Sequence, residues 1–172
     1  MSNVEQLAAL LLAHGWKLAT AESCTGGLIA AACTDLAGSS AWFERGFVTY
    51  SYPSKTELLG VPQPLLAQHG AVSEPVVRAM VLGAVRHSHA RVAVAVTGIA
   101  GPAGATADKP VGTVWFAYAV DGEVGSERVH FEGDRAAIRT ATVQHALNAL
   151  VRRLGAPSGP VFPPSPSGRG LG

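Results

Sequence analysis

Ser23 stands in the run Ala21-Glu22-Ser23-Cys24-Thr25-Gly26-Gly27, where a predicted strand passes through a turn into a helix. The first N–H groups of a helix lack partners and carry a partial positive charge, which suits an oxyanion or a phosphate. Gly26 and Gly27 allow a ligand to come close to the backbone, so the N–H groups around Thr25 and Gly26 are candidate oxyanion donors. The same residues also suit a plain helix cap, since serine and threonine are common at that position. Cys24 is a rival nucleophile, because a thiol at a helix N-terminus can be acidified. Against it, no histidine neighbours Cys24 in the sequence, and free cysteine is among the most buried residue types.

The natural partner for such a hydroxyl is a base. Lys55 closes Thr49-Tyr50-Ser51-Tyr52-Pro53-Ser54-Lys55, just past a second predicted strand. Lysine is scarce here: Lys17, Lys55 and Lys109 stand against ten arginines. Unlike arginine, a desolvated lysine can lose its proton and act as a base. That requires its pKa to fall from ~10.4 towards ~7–8. A nearby tyrosine, Tyr50 or Tyr52, could orient the amine. The ordinary alternative is a solvated lysine on a helix surface.

Two further segments carry ligand-binding chemistry. Thr97-Gly98-Ile99-Ala100-Gly101-Pro102-Ala103-Gly104 follows an apolar strand. A glycine-rich loop there can wrap a ligand, with Thr97 and Gly98 at its base, or it can be a plain crossover. Neither GxGxxG nor GxxxxGK[ST] occurs, which excludes a dinucleotide fingerprint and an ATP-binding P-loop. In Gly133-Asp134-Arg135-Ala136-Ala137-Ile138-Arg139, two arginines share a helix face at the positive end of the helix. That placement is unfavourable unless an anion offsets it, and the guanidinium fork fits phosphate geometry. Arg139 is the stronger phosphate candidate, because Arg135 stands beside Asp134. Pairing with Asp134, Glu132 or Glu127 is the competing reading.

These residues need a scaffold, and its elements are readable. A capping box, Ser2-Asn3-Val4-Glu5, opens a helix that runs to Gly15. Strands are expected at 16–20, 43–50, 91–97, 111–120 and 123–131, the last two joined by the hairpin signal Asp121-Gly122. Helices fall to about Leu36, from about Ser54, between Pro62 and Gly70, from Ser73 to about His87, and from Asp134 to about Leu154. Alternating valine and alanine at 92–96 suits a strand buried on both faces. Strand–helix alternation followed by a hairpin predicts a three-layer α/β/α sandwich with a mixed, mostly parallel sheet. Residues 1–155 form one domain, and the Pro-, Gly- and Ser-rich stretch 156–172 reads as a disordered tail.

Composition removes several classes of function. Hydrophobic residues make up 48% and charged residues 15%, enough apolar material for a core. A net charge of +1 with no basic stripe argues against nucleic-acid binding. No apolar run approaches ~18 residues, so no membrane span is expected, and no secretion signal is visible. Cys24 and Cys33 form no disulfide pattern, which points to a reducing cytoplasm. Among six histidines, only His87 and His89 are spaced to chelate, and no metal is expected. A homo-oligomer, with a dimer favoured, is the expected assembly.

Taken in order, the motifs AESCTGG (21–27), GSSAWFERGFVTYS (38–51) with Lys55 after it, QHGAVSEPV (68–76), TGIAGP (97–102), KPVGTVWFA (109–117) and GDR-x-x-x-R (133–139) resemble the CinA C-terminal domain family. The resemblance covers roughly residues 4–155, and so many long motifs in one order are specific. Stand-alone members of that family are nicotinamide-nucleotide amidohydrolases. The resemblance implies the α/β/α fold and deamidation of nicotinamide mononucleotide (NMN) to nicotinate mononucleotide and ammonia, without a cofactor. It implies Ser23 as nucleophile, Lys55 as its base and Tyr50 as a supporting catalytic residue. Thr25, Gly26, Gly27, Thr97, Gly98, Arg135 and Arg139 are the expected substrate-binding positions. Two features depart from the family pattern: Ala105, where the loop usually continues with glycine, and the Pro-rich tail. A non-catalytic nucleotide-binding domain linked to competence or DNA damage is the alternative from another class.

Overall fold

The computed structural model describes residues 1–156. Helix α1 (Asn3–His14) starts at the capping box: Ser2 accepts from the Glu5 N–H, and the Glu5 carboxylate accepts from the Ser2 N–H. Gly15 ends it in the left-handed conformation, and the Trp16 N–H still donates to the Leu11 carbonyl. This cap holds Trp16 and Lys17 outside the first strand. β1 therefore spans Leu18–Glu22 rather than 16–20. The two-residue difference puts Glu22 at the end of the strand and Ser23 directly after it.

α2 (Leu28–Thr34), a short 3-10 turn (Ser39–Ala41) and β2 (Phe43–Val48) follow. α3 (Tyr52–Leu59) begins two residues earlier than the sequence suggested. Ser51 caps it by accepting from the Ser54 N–H, with Pro53 in the first turn, where its missing N–H costs nothing. α4 (Gln63–His69), α5 (Glu74–Arg86) and β3 (Val92–Gly98) lead to the hairpin of β4 (Thr113–Val120) and β5 (Glu123–His130). Asp121 and Gly122 both have positive φ, the turn whose twist matches the paired strands. α6 (Arg135–Gly155) closes the fold.

The sheet order is β2-β1-β3-β4-β5; β2, β1 and β3 pair in parallel, while β4 and β5 add antiparallel. Four of the five strands thus run the same way, in the expected mixed α/β/α sandwich. Strand β3 distributes its alternation between two cores. Val92, Val94 and Val96 pack with α1, α2 and α6, while Ala93 and Ala95 face α3, α4 and α5. Small alanines allow the second layer to lie close to the sheet. Gly83 extends that closeness to the helices: a Cβ there would sit 2.0 Å from the Leu59 carbonyl oxygen. α5 therefore crosses the end of α3 backbone to backbone, which fixes the helix carrying Lys55. The tail reading concerns residues outside the described ones, apart from Ala156. No helix among the described residues is long and apolar enough to cross a membrane.

Candidate active site

The parallel strands β1, β2 and β3 all end at one edge of the sheet, where open α/β sheets carry their ligands. The Ser23 N–H donates to the Val96 carbonyl at 3.1 Å, extending the β1–β3 ladder one residue past β1. The Thr49 N–H donates to the Glu22 carbonyl at 2.8 Å and does the same for β2. Ser23 and the segment leading to Lys55 are therefore anchored to the same three strand ends.

The capping alternative for Ser23 is settled by Glu22. Its buried carboxylate accepts from Thr25 Oγ1 (2.6 Å), the Ile29 N–H (2.8 Å) and the Ala30 N–H (3.1 Å). Glu22 thus satisfies the N-terminus of α2, whose cap position is Gly27 with no side-chain bond. The Ser23 hydroxyl is left for another task. It lies 2.9 Å from Lys55 Nζ, and the same amine donates to the Thr49 carbonyl.

Lys55 is not on a helix surface; it is completely buried. Burial disfavours the ammonium and lowers its pKa from 10.5 to about 8. No carboxylate pairs with it among the described residues. Near neutral pH a useful fraction is therefore free amine, able to accept the Ser23 proton while an N–H of the amine stays on Thr49. Cys24, the rival, is pushed the other way. Burial, with the charge of Glu22 adding to it, raises its thiol to about 11, so it is not a thiolate at neutral pH.

Ser23 and Lys55 open into a cavity of about 360 Å³. Tyr50, Thr97, Gly98 and Arg135 also line it. Thr97 Oγ1 donates to the Ala71 carbonyl at 3.0 Å, tying β3 to the segment before α5. Arg135 spans the rim, donating to the Gly101 carbonyl (2.9 Å) and to the Tyr50 hydroxyl (3.0 Å). It does not pair with Asp134, whose carboxylate caps α6 at the Ala137 N–H.

Four expected binding residues lie elsewhere. Thr25, Gly26, Gly27 and Arg139 are absent from the cavity wall. Thr25 is bound to Glu22, and Gly27 starts α2. The Gly26 N–H donates to the Ser23 carbonyl at 3.1 Å, so it is not free for an oxyanion. Arg139 lies off the cavity wall and donates to the Cys24 (3.1 Å) and Thr25 (3.3 Å) carbonyls. It braces the turn that follows Ser23. At one helical turn's distance, Arg135 and Arg139 point to different tasks, a difference that charge and spacing alone do not encode.

The wall also contains residues that sequence reasoning missed, among them Tyr52, Ala71, Thr106 and Lys109. Tyr52 accepts from the Ala71 N–H at 3.1 Å, which brings the QHGAVSEPV segment to the site. The rarity of lysine was a signal for Lys109, unused because nothing local set it apart. His87 Nδ1 contacts the Gly83 carbonyl at 2.8 Å, and the described residues contain no cluster of three or more metal-type ligands.

Fold and site together define an α/β/α domain with a serine–lysine pair at the carboxyl edge of its parallel strands. The chain belongs to the CinA C-terminal domain family, whose family model matches residues 2–154. It is 55% identical over 148 residues to "Nicotinamide-nucleotide amidohydrolase PncC" of Enterobacter agglomerans, covering 86% of this chain and 90% of that protein. The protein of the same name from Pseudomonas putida is 57% identical over 136 residues, covering 79% and 85%. Among solved structures, the competence damage-inducible protein A (ComA) from Klebsiella pneumoniae superposes with a TM-score of 0.87. That match is at 40% identity and covers 91% of this chain and 97% of that one.

Proposed function

We propose that this chain is a nicotinamide-nucleotide amidohydrolase that converts NMN to nicotinate mononucleotide and ammonia by a serine–lysine mechanism. The observation that carries the reading is the buried Lys55 amine, 2.9 Å from Ser23 Oγ and with a pKa of about 8. The name and high identity of the relatives supply the substrate.

In this mechanism neutral Lys55 takes the Ser23 proton as Oγ forms a bond to the carboxamide carbon. Charge develops on the carbonyl oxygen, and a preorganised N–H donor there is worth ~3 kcal/mol. Collapse breaks the C–N bond, and the Lys55 ammonium returns the proton to the departing ammonia. Water, deprotonated by Lys55, then cleaves the nicotinoyl ester, releasing the product acid and restoring Ser23. No step calls for a cofactor. In this reading Tyr50 supports the site by accepting from Arg135, and Arg135 binds the phosphate; the bond between them and the position of both at the cavity support it.

A purely nucleotide-binding role would have no use for an unpaired amine buried against a hydroxyl, because the desolvation is a standing cost. The reading includes a cytoplasmic setting, which the two free, buried cysteines fit. It also includes a homo-oligomer, dimer favoured, for which exposed Val48, at the end of the edge strand β2, and exposed Leu28, at the start of α2, are available apolar surface.

The test is ammonia release from NMN by the purified protein. Ser23→Ala should abolish it, and Cys24→Ala should keep most of it. A serine variant with near-normal turnover beside a dead cysteine variant would falsify the nucleophile assignment.

A further inference from the structure

Three cationic side chains, Lys55, Lys109 and Arg135, line the cavity, and no carboxylate does. None of the three forms an ion pair among the described residues, whereas Arg45 and Arg91 pair with Glu44 and Asp121. Lys55 has its base role, and Arg135 makes two donations across the rim. Lys109 has no such account. A half-buried ammonium normally extends its stem until the charge reaches water. Here Nζ turns to the cavity wall with one modest partner, the His69 carbonyl at 3.1 Å. The carboxylate next to it in sequence, Asp108, instead accepts from the Thr106 hydroxyl.

The lysine's position is fixed from behind. The Thr106 N–H donates to the Lys109 carbonyl and the Lys109 N–H to the Thr106 carbonyl, closing a tight turn at the foot of the 99–110 loop. Gly70 borders the ammonium: a Cβ there would be in ordinary contact with Nζ, at 3.7 Å. One donor of the ammonium is used, and two remain for a ligand. A cavity with this charge and no internal compensation is built for an anion.

We propose that Lys109 is a specificity-determining residue that, together with Arg135, binds the phosphomonoester of the substrate. The inference rests on the amidohydrolase reading only in assigning that phosphate to a mononucleotide. The rival is a brace: Lys109 sits at the C-terminal carbonyls of α4, where a cation is favourable in its own right.

Calorimetric titration of the full chain with ribose 5-phosphate and with ribose separates the two. Wild type should prefer the phosphorylated sugar, and Lys109→Gln should reduce that preference ~10- to 100-fold. Lys109→Arg should recover most of it, and Lys109→Gln should raise KM for NMN with little change in kcat. The proposal is overturned if wild type shows no preference, or if Lys109→Gln leaves the preference intact. Equal weakening of both sugars with a lowered melting temperature would overturn it in favour of the brace. The binding arms need no turnover. Failure of NMN hydrolysis with the preference behaving as expected would therefore remove the amidohydrolase reading and leave the phosphate site standing.

Discussion

Replacing Lys55 with methionine should change how stability depends on pH, by an amount that follows from burial. In the folded protein Lys55 titrates at about 8 instead of 10.5. Between those values the unfolded chain holds a proton that the folded protein has released, so wild-type stability rises with pH across this window. Below the folded pKa both states are protonated and the full cost of burying the ammonium is present. The gap between about 8 and 10.5, at ~1.4 kcal/mol per pH unit, makes that cost ~3 kcal/mol near neutrality. Methionine fills a similar volume and has no proton to lose. The stability of Lys55→Met relative to wild type should therefore fall by ~2–3 kcal/mol between about pH 7 and about pH 10. Taking the difference between two proteins cancels the titration of other groups. The offset at a single pH is less informative, because methionine also leaves the Thr49 carbonyl without its donor. Urea unfolding with a common slope, repeated across the range, provides the measurement. Parallel stability curves would mean that Lys55 titrates like an ordinary lysine, and the base role would lose its physical footing.

Lys55→Arg should be as inactive towards NMN as Lys55→Ala, because arginine keeps the charge but does not deprotonate in a protein; substantial turnover would mean that Lys55 serves only as a cation. The two arginines of α6 should separate kinetically. Arg135→Ala, removing a cavity cation, should raise KM for NMN ~10-fold or more with a smaller change in kcat. Arg139→Ala, releasing the carbonyls of Cys24 and Thr25, should chiefly lower kcat. Steady-state kinetics showing the opposite pattern would return the phosphate to Arg139.

Much of the fold was legible because local signals agreed with the global arrangement. The capping box at Ser2, the Asp121-Gly122 hairpin and the Asp134 cap each act within a few residues, and each formed as expected. The alternation in β3 told of burial on both faces but not which layer each face met. The Ala93 and Ala95 face is shallow because α5 and α3 cross at Gly83, a contact between segments far apart in sequence. The start of β1 was misread for a related reason: Trp16 is apolar, yet its N–H belongs to the end of α1.

The site was legible in its chemistry and less so in its division of labour. A serine at a strand end and a scarce lysine after the next strand pointed to each other. What brings them to 2.9 Å is the parallel pairing of β1 and β2, which no local pattern specifies. The capping ambiguity at Ser23 had no local answer either, because Glu22, an ordinary acidic residue in the sequence, takes over the cap. The arginines show why. Arg135 and Arg139 share charge, helix and face, and the sequence argument ranked them by whether Asp134 would neutralise one. Asp134 instead turns to the backbone, as a cap at this position favours, which frees Arg135 to reach Gly101 and Tyr50. Arg139, one turn further into the helix, meets the Cys24 and Thr25 carbonyls instead. One cation thereby reaches the cavity rim and the other the turn that follows Ser23. The choice is made by which loop packs against each turn of α6.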